Sequence, residues 1–296
     1  MDRFRAMQTF VAIADQGSLT AAARLLDSSL PAVVRSLAAL EAHLGVRLAR
    51  RTTRRVALTD EGRRYLETCR LVLSTVEAGE SALASDADEP AGSLTITAPV
   101  LFGQMYVAPA VTRFVRRYPK MQVRVLLFDR VVNLLEEGID VGIRIGKLED
   151  SSLVAQTVFS VRRMVVASPG FVHAVGLPRH PRDLLGANCI RFSGSSGPWW
   201  TFHEGRRSFS VPVTGNLEFN HVGPALDACV EGLGFGMFIS YQVAEPLKRG
   251  TLLPLLEAFE PPPRPISIVY PHARLLPGRT RAFVEWMKEE LARLPP

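Results

Sequence analysis

The chain has 296 residues, 47 % of them hydrophobic and 22 % charged, with a formal net charge of +6. That length exceeds one helical domain and gives room for two or three packed units, and the balance is that of an ordinary globular protein. With no run of about eighteen apolar residues and no apolar signal core in MDRFRAMQTF, neither a membrane span nor export is expected, and the expected location is cytoplasmic.

The first elements are short helices. Phe4, Met7, Val11 and Ala14 share one helical face, and Gln16-Gly17 ends that helix. Ser18 is placed to cap a second helix, Leu19 to Leu26, whose Ala21, Ala22 and Ala23 permit close packing. Asp27-Ser28 turns into a third helix, with Ser29 as N-cap and Pro31 in the first turn, where a missing N–H costs little. Val33, Leu37, Leu40 and Leu44 form its buried face; Leu30, Pro31, Val34, Arg35 and Ala38 lie opposite; Leu44-Gly45 closes it. Small residues, a short turn and a helix with an open first turn predict a helix-turn-helix. Five arginines then crowd into nine residues, Arg47, Arg50, Arg51, Arg54 and Arg55, with Thr52 and Thr53 among them and alternating Val56 and Leu58 after. This reads as a hairpin, or wing.

Charge supports a nucleic-acid role. Residues 1–60 hold nine arginines, no lysine and five acids, so most of the excess lies on the smallest part of the chain. The third helix suits the major groove, and the wing suits phosphate or the minor groove. The DNA-facing candidates are Ser18, Thr20, Ser29, Leu30, Pro31, Val34, Arg35, Arg50, Arg51, Thr52, Arg54 and Arg55.

Thr59-Asp60-Glu61 opens a long helix, a threonine cap followed by acids in the first turn, expected over residues 60–85. Leu66, Cys69, Leu73, Val76 and Leu83 make a coiled-coil-like stripe, with Glu80 at the skipped position, which points to a partner helix; the alternative is packing on its own domain. Residues 86–92, polar with Pro90 and Gly92, form a hinge. Beyond it strands and helices alternate: strand 93–97, helix 103–117, strand 123–128, helix 131–137 and strand 140–145. Strand 163–167, short helices at 169–174 and 181–185, strand 189–192, helix 222–231, strand 235–239, strand 266–270 and helix 280–294 follow. The series predicts an α/β domain with largely parallel sheets.

FVAIADQGSLTAAARLL followed by PAVVRSLAALEAHLGVRLARRTTRRVALTDEG resembles, without a gap, the N-terminus of LysR-type transcriptional regulators. Ser29, Ala32, Val33 and Arg35 match the family's recognition helix, and Pro31 is one of its usual choices. Leu30 stands where Gln is common and Val34 where Ser or Thr is common. Both departures remove a hydrogen-bonding side chain; each residue either touches a thymine methyl or packs within the protein. LTITAP, DVGIRIG and EGLGFGMFISYQVAEPLKRGTLLPLL are looser matches to the family's sensing domain.

The resemblance implies an α+β multidomain chain. Residues 1–59 are a winged helix-turn-helix, 60–85 a linker helix forming the dimer, 86–92 a hinge, and 93–296 a two-lobed, periplasmic-binding-protein-like effector domain. The expected crossings lie near residues 160–166 and 265–270, giving lobe I as 93–161 and 270–296 and lobe II as 162–269. The implied partners are double-stranded promoter DNA, a small-molecule effector, a second copy in a homodimer or homotetramer, and RNA polymerase if the protein is an activator.

The effector is expected at the strand ends. Candidates are Ala98, Pro99, Val100, Leu101 and Phe102 after the first strand, Arg144 and Gly146 after DVGIRI, and Trp199, Phe202, Asn220 and His221 in lobe II. Pro-Val-Leu replaces the Ser or Thr common in the family near that first loop. Free N–H groups at the helix start there, with Arg144 nearby, suggest a small carboxylate with an apolar body.

Other chemistry finds little support. Cys69, Cys189 and Cys229 are odd in number, far apart and outside any CxxC spacing, so they read as reduced thiols; the six histidines lack metal-ligand spacing. Gly232-Leu233-Gly234-Phe235-Gly236 follows a helix and enters a strand, the reverse of the dinucleotide order, and reads as a helix end. Gly194 to Gly197 is not a nucleophile elbow, and Asp129, Glu136, Glu137 and Asp140 are scattered by helix and strand phase. No cofactor, metal or enzymatic activity is expected. The competing readings are a solute-binding protein with an accessory N-terminal domain, disfavoured by the missing export signal, and an enzyme with a DNA-binding appendage, which lacks a catalytic cluster.

Overall fold

Helix α1 (Arg3–Gln16) is capped by the Asp2 carboxylate, which accepts from Arg5 N at 3.1 Å, and ends on Gly17 at φ +59°. Helix α2 (Leu19–Leu25) and helix α3 (Leu30–Leu44) are capped by Ser18 and Ser29. Strands β1 (Ala49–Arg51) and β2 (Val56–Leu58) pair antiparallel as the wing, and helix α4 (Asp60–Leu83) follows. The computed structural model describes residues 1–51, 56–83, 89–146, 153–192, 198–271 and 276–294.

Phe10, Ile13, Ala22, Val33, Leu37, Leu40 and Leu48 form one core, as the helical spacing requires. Leu66 and Cys69 of α4 belong to it too. The stripe expected to face a partner is therefore split: its first two residues are consumed at home, Leu73 is half-buried and Val76 is exposed. Thr59 is buried; its hydroxyl accepts from Gly62 N (2.9 Å) and donates to the Arg47 carbonyl (2.7 Å). Gly62 must lack a side chain, because a Cβ there would lie 2.0 Å from the Leu48 carbonyl oxygen.

In lobe I, strand β3 (Gly92–Ala98) leads into α5 (Val100–Phe102), a single π turn and α6 (Ala108–Arg117), which follow one another without a break. Strand β4 (Met121–Leu127), helix α7 (Leu134–Glu137) and strands β5 (Val141–Ile145) and β6 (Leu153–Val161) follow. Helix α7 is shorter than the sequence suggested, because Asn133 caps it through Leu135 N (3.1 Å) and Glu136 N (3.4 Å). Lobe II holds β7 (Arg163–Ala167), α8 (Pro169–Val175), β8 (Cys189–Phe192) and the hairpin β9 (Trp199–Glu204) with β10 (Arg207–Pro212). It continues with β11 (Glu218–Phe219), α9 (Val222–Val230), β12 (Phe235–Ile239), α10 (Ser240–Lys248) and β13 (Leu253–Leu255). Strand β14 (Arg264–Pro271) and helix α11 (Gly278–Ala292) return to lobe I.

The sheets are mixed rather than largely parallel. Sheet I runs β4-β3-β5-β14-β6, with β14 antiparallel to both neighbours; sheet II runs β11-β8-β12-β7-β13, with β7 antiparallel to both of its neighbours. The exception in sheet I follows from connectivity, since a strand bringing the chain home must run against the one that carried it out. Residues 265–269, expected in lobe II with the second crossing, pair with β5 and β6 in sheet I instead. The crossing falls earlier, at Pro261-Pro262-Pro263, a run with no N–H to give a sheet.

The effector domain rests on α4 through two arginines. Arg70 donates to the carbonyls of Leu135 (2.6 Å) and Glu136 at the end of α7 and pairs with Asp15 of α1. Gly138 makes room for it: its φ is +63°, and a Cβ would approach the Arg70 guanidinium to 2.9 Å. Arg279 at the start of α11 forks onto Glu77 of α4, with one bond of 2.9 Å.

Candidate DNA-binding face and effector cleft

The starts of α2 and α3 are built by their caps. Ser18 accepts from Ala21 N (3.4 Å) and Ser29 from Ala32 N (3.3 Å), so both hydroxyls are committed to the backbone. Thr20, Ser29, Pro31 and Arg35 are exposed, Leu30 is 42 % exposed, and Val34 is half-buried. Leu30 therefore keeps a large part of its surface open on this face. Arg50 is exposed on β1, and Arg51 continues that strand. Thr52, Arg54 and Arg55 lie outside the described residues.

One residue that sequence reasoning missed joins these parts. Glu41, near the end of α3, is only 7 % exposed; its carboxylate accepts from Leu48 N (2.9 Å), Ala49 N (3.2 Å) and the Arg47 guanidinium (3.1 Å). A buried acid is tolerated where backbone N–H groups and a guanidinium surround it. The signal available was an acid at the i+4 position from Leu37, next to Leu40 on the buried face.

Between the lobes lies a cavity of about 250 Å³. Lobe I contributes Pro99, Leu101, Asp129, Arg130, Arg144 and Arg264; lobe II contributes Phe192, Val222, Ile239, Tyr241 and Gln242. Of the expected residues, Pro99, Leu101 and Arg144 line it. His221 pairs across the lobes with Asp129, Nδ1 to Oδ2 at 3.4 Å. The others do different work. Ala98 and Phe102 are fully buried in lobe I, and Phe102 meets Tyr241 of lobe II edge-on at 5.2 Å. Gly146 donates to the Pro265 carbonyl (2.8 Å) at φ +109°, a backbone role. Phe202 is core of lobe II, Trp199 is 52 % exposed on the hairpin, and Asn220 is exposed outside the cavity wall.

The expected seat for an anion at the helix start is occupied by the protein itself. Pro99 at the N-cap has no side-chain oxygen, so Asp129 supplies one, accepting from Val100 N at 3.0 Å. The cationic side of the cavity lies elsewhere. Arg130 pairs with Glu137 (2.8 Å) and lies over Phe128 at 4.6 Å. Arg144 donates to the Val132 carbonyl (3.4 Å), and Arg264 forms no ion pair among the described residues. Burial holds the Arg144 guanidinium below its ordinary range, partly offset by Glu137. Burial likewise pushes the Tyr241 hydroxyl up, so it stays a neutral hydrogen-bonding group.

Gly232, at φ +82°, follows the end of α9, and burial pushes Cys189 and Cys229 to about 12 and Cys69 to about 11. Among the described residues no group of three or more His, Cys, Asp or Glu could hold a metal ion, and no helix is long and apolar enough to cross a membrane.

A winged helix-turn-helix on a long helix, joined to a two-lobed domain with a charged cleft, defines a ligand-responsive DNA-binding protein. Residues 4–63 match the bacterial regulatory helix-turn-helix proteins of the lysR family, and residues 87–292 match the LysR substrate binding domain. The chain is 35% identical over 290 residues to the HTH-type transcriptional regulator PtxR of Pseudomonas aeruginosa, covering 98% of this chain and 93% of that one. It is 35% identical over 300 residues to an HTH-type transcriptional repressor of the same species, covering 100% of this chain and 94% of the other. The solved structure of CrgA, a LysR-type transcriptional regulator from Neisseria meningitidis, is similar with a TM-score of 0.63 and 27% identity, covering 98% of this chain and 99% of that one. The chain belongs to the LysR family of transcriptional regulators. Proteins of this family regulate transcription rather than catalyse a reaction; they bind DNA and small-molecule effectors and form oligomers.

Proposed function

We propose that this regulator binds its operator as a homodimer or homotetramer and is switched by a small carboxylate with an apolar body, held in the interlobe cavity by Arg144 and Arg264. The observation that carries the carboxylate is a half-buried Arg144, with one long bond to the Val132 carbonyl, lining the same cavity as Arg264, Pro99, Leu101 and Val222. A guanidinium that burial disfavours gains from an anion more than a solvated one does. The helix start is not the seat, because Asp129 holds Val100 N.

On the DNA side, the first turn of α3 and Arg35 enter the major groove, and Arg50 with the rest of the wing lies on phosphate. Assembly runs through α4, whose Leu71 and Val76 are exposed. RNA polymerase is a further partner if the protein activates, and the cytoplasm is its expected place.

Two measurements test this reading. Arg50→Ala is expected to weaken binding to all DNA sequences and lower the salt slope of the affinity by about one; an unchanged slope removes Arg50 from the phosphate contact. In a thermal-shift screen of aromatic and aliphatic acids on the full chain, an acid at about one hundred times its dissociation constant stabilises by about 2.7 kcal/mol. Arg144→Gln abolishes that shift. Acids that fail to shift the wild type, or that shift Arg144→Gln equally, exclude the carboxylate.

A further inference from the structure

Sheets I and II end on four edge strands, β4 and β6 in sheet I and β11 and β13 in sheet II. An edge strand offers a row of unpaired N–H and C=O groups to any other chain. Folded proteins blunt it with charge, proline, short length or a bulge. Strand β11 has two residues, β13 has three and carries Pro254, and β4 carries an exposed Arg124 at its middle. Strand β6 is different. It runs for nine residues, LVAQTVFSV, without a charge, a proline or a glycine.

A bulge protects only part of it. The register against β14 slips so that Phe159 pairs with Ile266 but Thr157 with Ser267, which leaves Val158 as the extra residue. Ahead of that bulge, Leu153 to Thr157 pair rung by rung with Pro271 to Ser267. Ala155 and Thr157 are exposed. Among the described residues, no backbone bond joins residues 154–157 to any strand but β14.

The residues of β6 also favour one occupant. Two copies of a strand pair antiparallel about a twofold axis, so a residue on the axis meets itself. On β4 that residue is Arg124, and like charges directly opposite destabilise a sheet. With Ala155 on the axis of β6, Val154 meets Gln156 and Leu153 meets Thr157, and every rung is uncharged.

We propose that the edge of β6 is an interaction surface for a second copy of this chain, pairing antiparallel about Ala155 and joining two α4-linked dimers into a tetramer. The dimer half of this statement rests on the α4 seam; the β6 contact does not. Sheet I of one copy then continues into sheet I of the other. The bulge at Val158 confines the ladder to Leu153–Thr157, so dilution is expected to separate the dimers.

The test uses the full chain. Cys69, Cys189 and Cys229 are all buried, so a single added thiol can be followed. Ala155→Cys is expected to give a reducible covalent dimer on mild oxidation, since opposed Cα atoms lie about 4.5–5.5 Å apart, within disulfide reach. Ser208→Cys, exposed on β10, gives none. In light scattering, Ala155→Lys halves the mass of the wild-type particle and Ala155→Ser leaves it unchanged. Val76→Glu in the α4 seam also halves it, and only the double variant is a monomer. If Val76→Glu alone leaves the mass unchanged while Ala155→Cys still cross-links, the α4 seam fails and the β6 contact stands. No covalent dimer from Ala155→Cys, an equal yield from Ser208→Cys, or a particle mass that Ala155→Lys does not alter overturns the proposal.

Discussion

Two carboxylates, one in each half of the molecule, hold helix ends in opposite ways. Glu41 reaches backbone N–H groups only seven and eight residues away, is nearly sealed from solvent, and meets two amides and a guanidinium. Asp129 caps a helix start 29 residues back and meets a half-exposed histidine 92 residues on, in the other lobe. The first fastens α3 to the strand beside it, a joint that cannot open without stranding buried donors. The second spans a cleft and loses little when water replaces its partner. At these two joints the reading head is fastened more firmly than the lobes are to each other.

Removing the sealed joint gives the largest effect. Glu41→Ala leaves Leu48 and Ala49 N–H groups buried without an acceptor and is expected to cost about 3 kcal/mol. Glu41→Gln keeps an acceptor and costs about half as much. Urea denaturation of both variants checks the order; equal costs mean that the bonds contribute little beyond side-chain packing. Asp129→Ala loses only a helix cap and the pair to His221, for about 1 kcal/mol. A loss as large as that from Glu41→Ala breaks the contrast between the two joints.

A third acid, Asp140, lies between the extremes and gives the smallest effect. It accepts one backbone bond, from Thr95 N at 2.7 Å, and burial raises its carboxyl above the ordinary range. A raised acid stabilises the fold below its unfolded pKa, about 4, and that stabilisation is lost as pH rises through the higher folded value. The stability of the wild type relative to Asp140→Asn should therefore fall as pH rises above about 4. A difference in urea midpoint that stays flat or grows over that range contradicts the assignment.

The same contrast explains what could be read from the sequence. In the N-terminal domain, caps, turns and buried faces are set by neighbours within a few residues, so Ser18, Ser29, Gly17 and Gly45 all stand where spacing put them. Glu41 escaped because an acid on an apolar face looks like an exposed one until its donors arrive from the next strand. The cleft draws on Pro99, Asp129, Arg144, Val222, Tyr241 and Arg264, brought together by the order of strands in the sheets, which periodicity does not encode. Pairing alone shows that β14 lies in sheet I and that Phe202 is core. Asp129 was visible as an acid, but its place on Val100 N depends on strand register and on Pro99 being unable to cap.

Arg70 fastens three bodies with one side chain: Asp15 in the reading head, its own linker helix, and the carbonyls closing α7, over a glycine that leaves it room. One terminal nitrogen carries both carbonyl bonds and the other the bond to Asp15, so a turn of the linker helix away from lobe I is expected to lose the two carbonyls while the tie to the reading head is kept.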